Sequence, residues 1–339
     1  MSARESIIPV FVPHLGCPND CVFCNQRRIS GSTMPATPDD VEKAISNAAA
    51  LPRTGVKRQL AFYGGSFTAI PDAEQTALLA AAKAHLDTGE IDAIRLSTRP
   101  DAIDEAILKR LKYYGVETIE LGAQSMCDEV LSLSGRGHTA ADVEAASKMI
   151  KAAGFRLILQ MMTGLPGDTK ERSIETAKKI IALAPDGVRV YPTVIVRDTA
   201  LFDLWQAGRY KEHSVDEAVD WCAALVPLFD AAGIPIIRLG LNPTEELSGG
   251  AAVGGAYHPA LGELVKSRLM LYRAREVLAG VQPGAAVVLG TEAGRISQLV
   301  GQHRCNVAAL TVEFGLRALK VRPCAAKNGD IRVLSVENG

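Results

Sequence analysis

An α/β fold with a parallel sheet is what this 339-residue sequence predicts. Short β-branched runs alternate with longer Ala-rich amphipathic stretches, and the alternation repeats through six units that carry helix start and stop residues. Such alternation favours parallel pairing with right-handed crossovers. Strands are expected at 7–12, 59–63, 93–97, 118–121, 156–161 and 187–191, with helices at 38–50, 72–86, 102–113, 139–153, 169–183 and 215–231. Thr37 ahead of Pro38, the Pro71-Asp72 pair and Asp168-Thr169 mark helix starts. Gly115, Gly154 and Gly233 mark helix ends. Residues 234–239 read as a seventh strand. Periodicity alone leaves open whether the sheet is curled into a partial barrel.

After residue 241 the pattern changes. The Gly/Ala-rich stretch 246–259 reads as a loop, and a helix is expected at 261–279. A small α+β module follows, with strands at 285–289, 318–322 and 331–336 and a helical region at 296–314. The domain division expected is 1–240, an extension at 241–280, and a module at 281–339.

With 47% hydrophobic and 22% charged residues, the composition is that of a globular protein and excludes disordered and fibrous classes. No apolar run approaches a membrane helix, and the first residues lack the apolar core of a secretory signal. The net charge of -1 combines +5 over residues 257–339 with -6 over the rest. Seven cysteines, an odd number, do not suggest a disulfide framework. A reducing cytoplasm and a metal site are expected instead, because Cys17, Cys21 and Cys24 fall within eight residues.

The cysteine cluster, GCPNDCVFC, has Cys-x3-Cys-x2-Cys spacing directly after the first strand, where βα loops carry chemistry. Three thiolates without a fourth nearby suit a [4Fe-4S] cluster that keeps one iron open. Zinc, with His14 completing a Cys3His set, is the competing metal. Three buried free cysteines are the bland alternative, and the polar turn Pro18-Asn19-Asp20 argues against it.

This spacing, with Phe23 before the third cysteine, resembles the radical S-adenosylmethionine (SAM) superfamily. The resemblance implies a partial (β/α)6 TIM-type barrel and a [4Fe-4S] cluster on Cys17, Cys21 and Cys24. In that family SAM chelates the open iron and is cleaved to a 5′-deoxyadenosyl radical. Further motifs follow successive strands in the family's order. FYGGSFT places Gly64, Gly65 and Ser66 at the methionine end of SAM, and LSTRPD puts Ser97 at a ribose or methionine contact. ELGAQSM and LSGRGHT are similar to one branch of the family, that of oxygen-independent coproporphyrinogen dehydrogenase and the elongator catalytic subunit. By that match Gln124 lies near SAM, and Arg136 pairs with its carboxylate. LQMMTGLPGDT puts Gln160 at a ribose contact and the 164–167 turn beside the adenine.

The stretch 188–210 resembles the elongator-like branch, whose tRNA-modifying members also carry an acetyltransferase domain. About 100 residues follow Leu239, too few for that domain, so acetyl-CoA chemistry is not expected. Residues 299–321 resemble a K-homology motif, two helices joined by a turn that clamps nucleic-acid backbone. Val300, Gly301, Val307 and Leu310 keep its register, while Arg304 replaces the second glycine. Arg304, His303, Arg295, Lys320 and Arg322 are candidate phosphate contacts; a plain cap on the barrel is the alternative.

Tyr191, Arg197, Tyr257 and His258 are the candidates for substrate chemistry, with Cys127 as a possible hydrogen donor and Arg238 as a core-edge ion-pair residue. The expected activity is radical modification of RNA, in particular tRNA, supported by an electron donor such as flavodoxin or ferredoxin. The alternatives are a radical SAM enzyme for a small molecule or porphyrin, and a non-catalytic iron-sulfur or SAM-binding protein.

Overall fold

Strands β1 (Arg4–Val12), β2 (Val56–Gly64), β3 (Ala93–Thr98), β4 (Val116–Gln124), β5 (Arg156–Thr163), β6 (Gly187–Pro192) and β8 (Ile236–Leu239) lie side by side in that order, all parallel. The computed structural model describes residues 4–12, 21–24, 35–50, 56–242, 247–327 and 329–338. The chain divides into two compact units, Met1–Ser214 with Pro227–Tyr257, and Val215–Val226 with His258–Gly339.

The sheet of the first unit is a curled half-barrel. Arg189 on β6 donates to the Tyr63 hydroxyl on β2 over 3.0 Å. Four strand spacings of about 4.8 Å each would hold these strands apart in a flat sheet, so the lumen side must close on itself. Side chains alternate between the two faces. Leu60, Phe62, Ile94, Leu96, Ile119, Leu121, Leu157, Leu159, Val188 and Val190 are buried on the helix-covered face. The alternate positions face the lumen and mix polar residues with apolar ones such as Ile7 and Ile158, with Gly122, Gln160, Arg189 and Arg238 in one row across four strands.

The connecting helices are α1 (Pro38–Ala49), α2 (Asp72–Asp87), α3 (Glu105–Tyr113), α4 (Asp128–Leu133), α5 (Ala140–Ala152), α6 (Lys170–Ala182), α7 (Ala200–Gln206) and α8 (Val215–Ala231). Caps set their starts. Asp104 Oδ1 accepts from the Ile107 amide at 2.7 Å, which starts α3 at Glu105 rather than at 102 as the periodicity suggests. Thr139 and Asp142 form a capping box on α5, and Thr169 caps α6.

The stretch 246–259, expected as a loop, holds a strand. β9 (Ala252–Gly255) pairs antiparallel with β7 (Val194–Val196). Glycine is required there, because a Cβ on Gly255 would lie 2.7 Å from the Thr193 carbonyl oxygen, and its φ is +78°. Glycine content hid this strand.

In the second unit, β10 (Ala286–Thr291) is central, parallel to β11 (Ala318–Pro323) and antiparallel to β12 (Arg332–Glu337). Met270, Leu271, Ala274 and Leu278 of α9 (Leu261–Leu278) share one core with Val287, Leu289, Leu299, Val307, Leu310 and Leu319. Helix α9 therefore packs as part of this module, and not as the separate 241–280 extension expected from the sequence. Residues 215–226 also belong to this unit: Asp216 pairs with Arg268, and Asp220 accepts from Tyr272. Helices α10 (Ile296–Val300) and α11 (Cys305–Glu313) are joined by a turn with positive φ at Gly301, His303 and Arg304.

Candidate active site

The C-terminal ends of β2 to β5 converge on a cavity of about 140 Å³. Cys21, Cys24, Gly64, Gly65, Ser66, Ser97, Gln124, Arg136 and Gln160 line it, together with Phe23, Thr98 and Gly122. Residues proposed from separate sequence motifs thus meet around one space. Cys17 and His14 lie outside the described residues.

Local bonding explains the position of the cysteines. The Cys24 amide donates to the Cys21 carbonyl at 2.9 Å, making a tight turn. This turn is pinned on both sides, since Val22 N–H donates to Ser134 and the Val22 carbonyl accepts from Leu201. Val22 and Phe23 pack on the apolar cluster of Ile195, Leu201 and Tyr210. Cys21 is buried, and its Sγ accepts from Arg136 Nη1 at 3.4 Å.

Arg136 donates from Nη2 to the Gly122 carbonyl at 2.7 Å, and its own carbonyl accepts from buried Arg99. His138 follows at 4% exposure, with Nε2 3.2 Å from the Ala123 carbonyl. Burial, and next the Arg136 charge, push His138 down to about 4, so it is neutral near pH 7.

Two features fit a bound cofactor. Gln124 has φ +63° at the end of β4, and its Oε1 is buried with no hydrogen-bond partner among the described residues. A buried acceptor left in this state is costly unless a ligand satisfies it. Gly122 keeps the floor open: a Cβ there would lie 3.0 Å from Gln124 Nε2 and 3.3 Å from Arg136 Nη2. The residues therefore suit a thiolate-held cluster with a polar ligand over the β4 end.

A second cavity, of about 470 Å³, shares Gly64, Ser97 and Gln160 with the first. It is lined by lumen residues, among them Tyr63, Glu120, Arg189 and Tyr191. Glu120 is fully buried. Its Oε1 lies 2.8 Å from Arg95 Nη2 and accepts from Tyr63 at 2.8 Å and Arg189 Nη2 at 3.1 Å. Its Oε2 lies 2.8 Å from Arg189 Nε and accepts from Gln160 at 3.1 Å. Burial and then the Glu120 charge hold the Tyr63 phenol well above its usual range. Burial opposes the Arg189 charge, but Glu120 and the two phenols outweigh it and keep that guanidinium protonated.

Of the four substrate-side candidates, Tyr191 lines the second cavity. Arg197 is exposed and donates to the Gly250 carbonyl. Tyr257 packs with Val194, Val196 and Leu247. His258 accepts from the Ala260 amide ahead of α9. The 164–167 turn, expected beside the adenine, lines neither cavity and is tied by Asp168 and Tyr210 instead. Arg238 donates to the carbonyls of Gly240 and Leu241, and to no carboxylate among the described residues.

Sequence reasoning missed Gly122, Tyr63, Glu120 and Arg189. A usable signal was present, because Arg95, Glu120 and Arg189 are charged residues inside otherwise apolar strands.

Residues 11–180 match the model of the radical SAM superfamily, and residues 185–270 match that of the Radical_SAM C-terminal domain. The chain belongs to the radical SAM superfamily and is a radical SAM enzyme, whose cofactors are a [4Fe-4S] cluster and SAM.

Among curated relatives, human Elongator complex protein 3 is 36% identical over 138 residues, 40% of this chain and 25% of that protein. The tRNA uridine(34) acetyltransferase of Methanocaldococcus infernus is 31% identical over 131 residues, 38% of this chain and 24% of that protein. The matched segment thus spans about a quarter of each relative. Among solved structures, Methanocaldococcus infernus Elp3 with an N-terminal deletion superposes with a TM-score of 0.62 at 22% identity, covering 81% of this chain and 63% of that one. Escherichia coli coproporphyrinogen III oxidase (HemN) superposes with a TM-score of 0.50 at 21% identity, covering 68% and 53%. These likenesses support the half-barrel fold. Among the described residues, no helix is long and apolar enough to cross a membrane.

Proposed function

We propose that the chain uses SAM and a cluster on Cys17, Cys21 and Cys24 to modify RNA, with tRNA as the substrate. When bound, the cluster and SAM supply a one-electron cleavage that yields a 5′-deoxyadenosyl radical. The protein's part is to bind, orient and exclude water. Cys21 and Cys24 offer thiolates at the cavity rim, and Gln124 and Arg136 offer polar partners to SAM. Gly64, Gly65 and Ser66 let its methionine end approach the backbone, with Ser97 and Gln160 toward the ribose. The observation that carries this reading is the convergence of these residues on one cavity, with a second, substrate-sized cavity sharing its wall.

RNA as the substrate is favoured by the matched tRNA uridine(34) acetyltransferase. The turn at Gly301, His303 and Arg304 adds support, because three residues with positive φ between two helices put the His303 and Arg304 side chains on a tight bend. Arg295, which pairs with Glu292 at 2.7 Å, Lys320 and Arg322 are further candidates for phosphate contacts. A flavodoxin or ferredoxin in a reducing cytoplasm would supply the electron.

Comparing nucleoside profiles of tRNA and rRNA from cells with and without the gene tests the substrate. Loss of one modified nucleoside is the expected result. An unchanged profile, together with no salt-dependent tRNA binding by the purified protein, would reject RNA in favour of a small molecule.

A further inference from the structure

Among the described residues, two arginines and one carboxylate stand near the cavity end of the lumen, Arg189, Arg238 and Glu120. Arg189 on β6 and Arg238 on β8 occupy facing positions on neighbouring strands. Like charges placed so are unfavourable without compensation. Glu120, buried two positions before that row on β4, has no capacity left, because Arg95, Arg189, Tyr63 and Gln160 already occupy both oxygens. Deeper in the lumen the balance differs: Glu5 pairs with Arg95 and Arg156, and Glu117 pairs with Lys57. Among the described residues each of those cations has a carboxylate partner, which Arg238 lacks.

The groups left there are donors. The Tyr191 hydroxyl accepts from Arg189 Nη1 at 3.4 Å, and its own proton has no acceptor among the described residues. Arg238 is close enough for its charge to act on that phenol, and the Arg238 contacts described are carbonyl oxygens alone. Asn242 stands at the cavity wall with an amide to offer.

We infer that the lumen cavity, next to the SAM cavity, holds an anionic group of the substrate or co-substrate, a carboxylate or phosphate, against Arg189 and Tyr191 in its wall, with Arg238 facing Arg189 from the next strand. Oxygen acceptors would use the unspent phenol proton and offset the paired arginines, and a neutral donor-rich group would do neither. As a substrate pocket it rests on the function proposed above; as an anion site it needs neither cluster nor RNA.

Calorimetry on the purified full chain tests this with malonate and inorganic phosphate as probes, first without cluster and then with cluster and SAM reconstituted. The expected result is one site that persists when SAM is bound. Arg238→Gln and Tyr191→Phe should each weaken it about tenfold, the loss of one charge-assisted hydrogen bond, and Arg238→Lys should recover part of the loss. Tighter malonate binding assigns a carboxylate-bearing small molecule, and tighter phosphate binding assigns a nucleotide phosphate. No binding by the wild type, binding abolished by SAM, or unchanged affinity in both variants overturns the inference. Failure of the RNA reading shows separately, as an unchanged nucleoside profile.

Discussion

Arg136 donates to the Cys21 sulfur over 3.4 Å although 115 positions separate them in the chain. The contact joins the cysteine turn to the end of β4, because the same guanidinium holds the Gly122 carbonyl at 2.7 Å. N–H groups aimed at a ligand sulfur stabilise the electron-rich state of an iron-sulfur centre. Arg136→Met should therefore shift the reduction potential of the reconstituted centre to more negative values without SAM present. An EPR-monitored redox titration reads this, and an unchanged potential would remove Arg136 from that role.

The three cysteines are expected to act as a set. Replacing Cys17, Cys21 or Cys24 with Ala should abolish the brown chromophore and SAM cleavage together, as read by absorbance and 5′-deoxyadenosine release. Colour that survives the changes, with zinc found by metal analysis, would refute the cluster assignment.

Gly122→Ala probes the same cavity without touching a thiolate. Its added methyl would crowd Gln124 Nε2 at 3.0 Å and Arg136 Nη2 at 3.3 Å, both ends of flexible side chains. The fold should survive while SAM affinity falls tenfold or more, by roughly 1.4 kcal/mol. Equilibrium dialysis with SAM, alongside a melting curve, separates the two effects.

His138 makes stability depend on pH. Its folded value of about 4 lies below the ordinary 6.5, so the unfolded chain binds the proton more readily. The contribution is complete above pH 6.5 and is lost as pH falls toward 4. It amounts to about 3 kcal/mol at most. Urea unfolding at pH 7.5 and 4.5 should show a smaller acid loss for His138→Gln than for the wild type. Equal losses would show that His138 does not drive it.

Glu120→Ala should destabilise the barrel by about 3–5 kcal/mol, because it takes the buried carboxylate from Arg189 and leaves Arg95 with Glu5 at 3.4 Å. Arg95 is 3% exposed and Arg189 13% in their side chains. Urea unfolding measures the change. A loss below about 1 kcal/mol, the range of a surface pair, would mean the network is hydrated.

The βα alternation was legible from residue types because helix-facing positions are mostly apolar, and the motif order placed Gly64, Ser97, Gln124 and Gln160 on successive strands. The lumen was harder to read. Nothing in the local sequence around Glu120 says that Tyr63 and Arg189 will reach it, since the curl of the sheet makes that contact. Strand β9 was hidden because glycine, usually a sign of a loop, is there the only residue that clears the Thr193 carbonyl. His258 looked chemical by residue type, yet it accepts from the backbone where α9 begins.

Among the described residues, β1 and β8 form the two ends of the barrel sheet and do not pair with each other. A closed barrel admits only what fits through its mouth, so a polymer would have to offer a free end or a flipped-out residue of sufficient length. A barrel with one side unlaced relaxes that demand. For the RNA substrate proposed above, an unlaced side would let the strand lend a single unit to the lumen while it continues on either side. Reach, more than threading, would then decide which positions of a long substrate are modified.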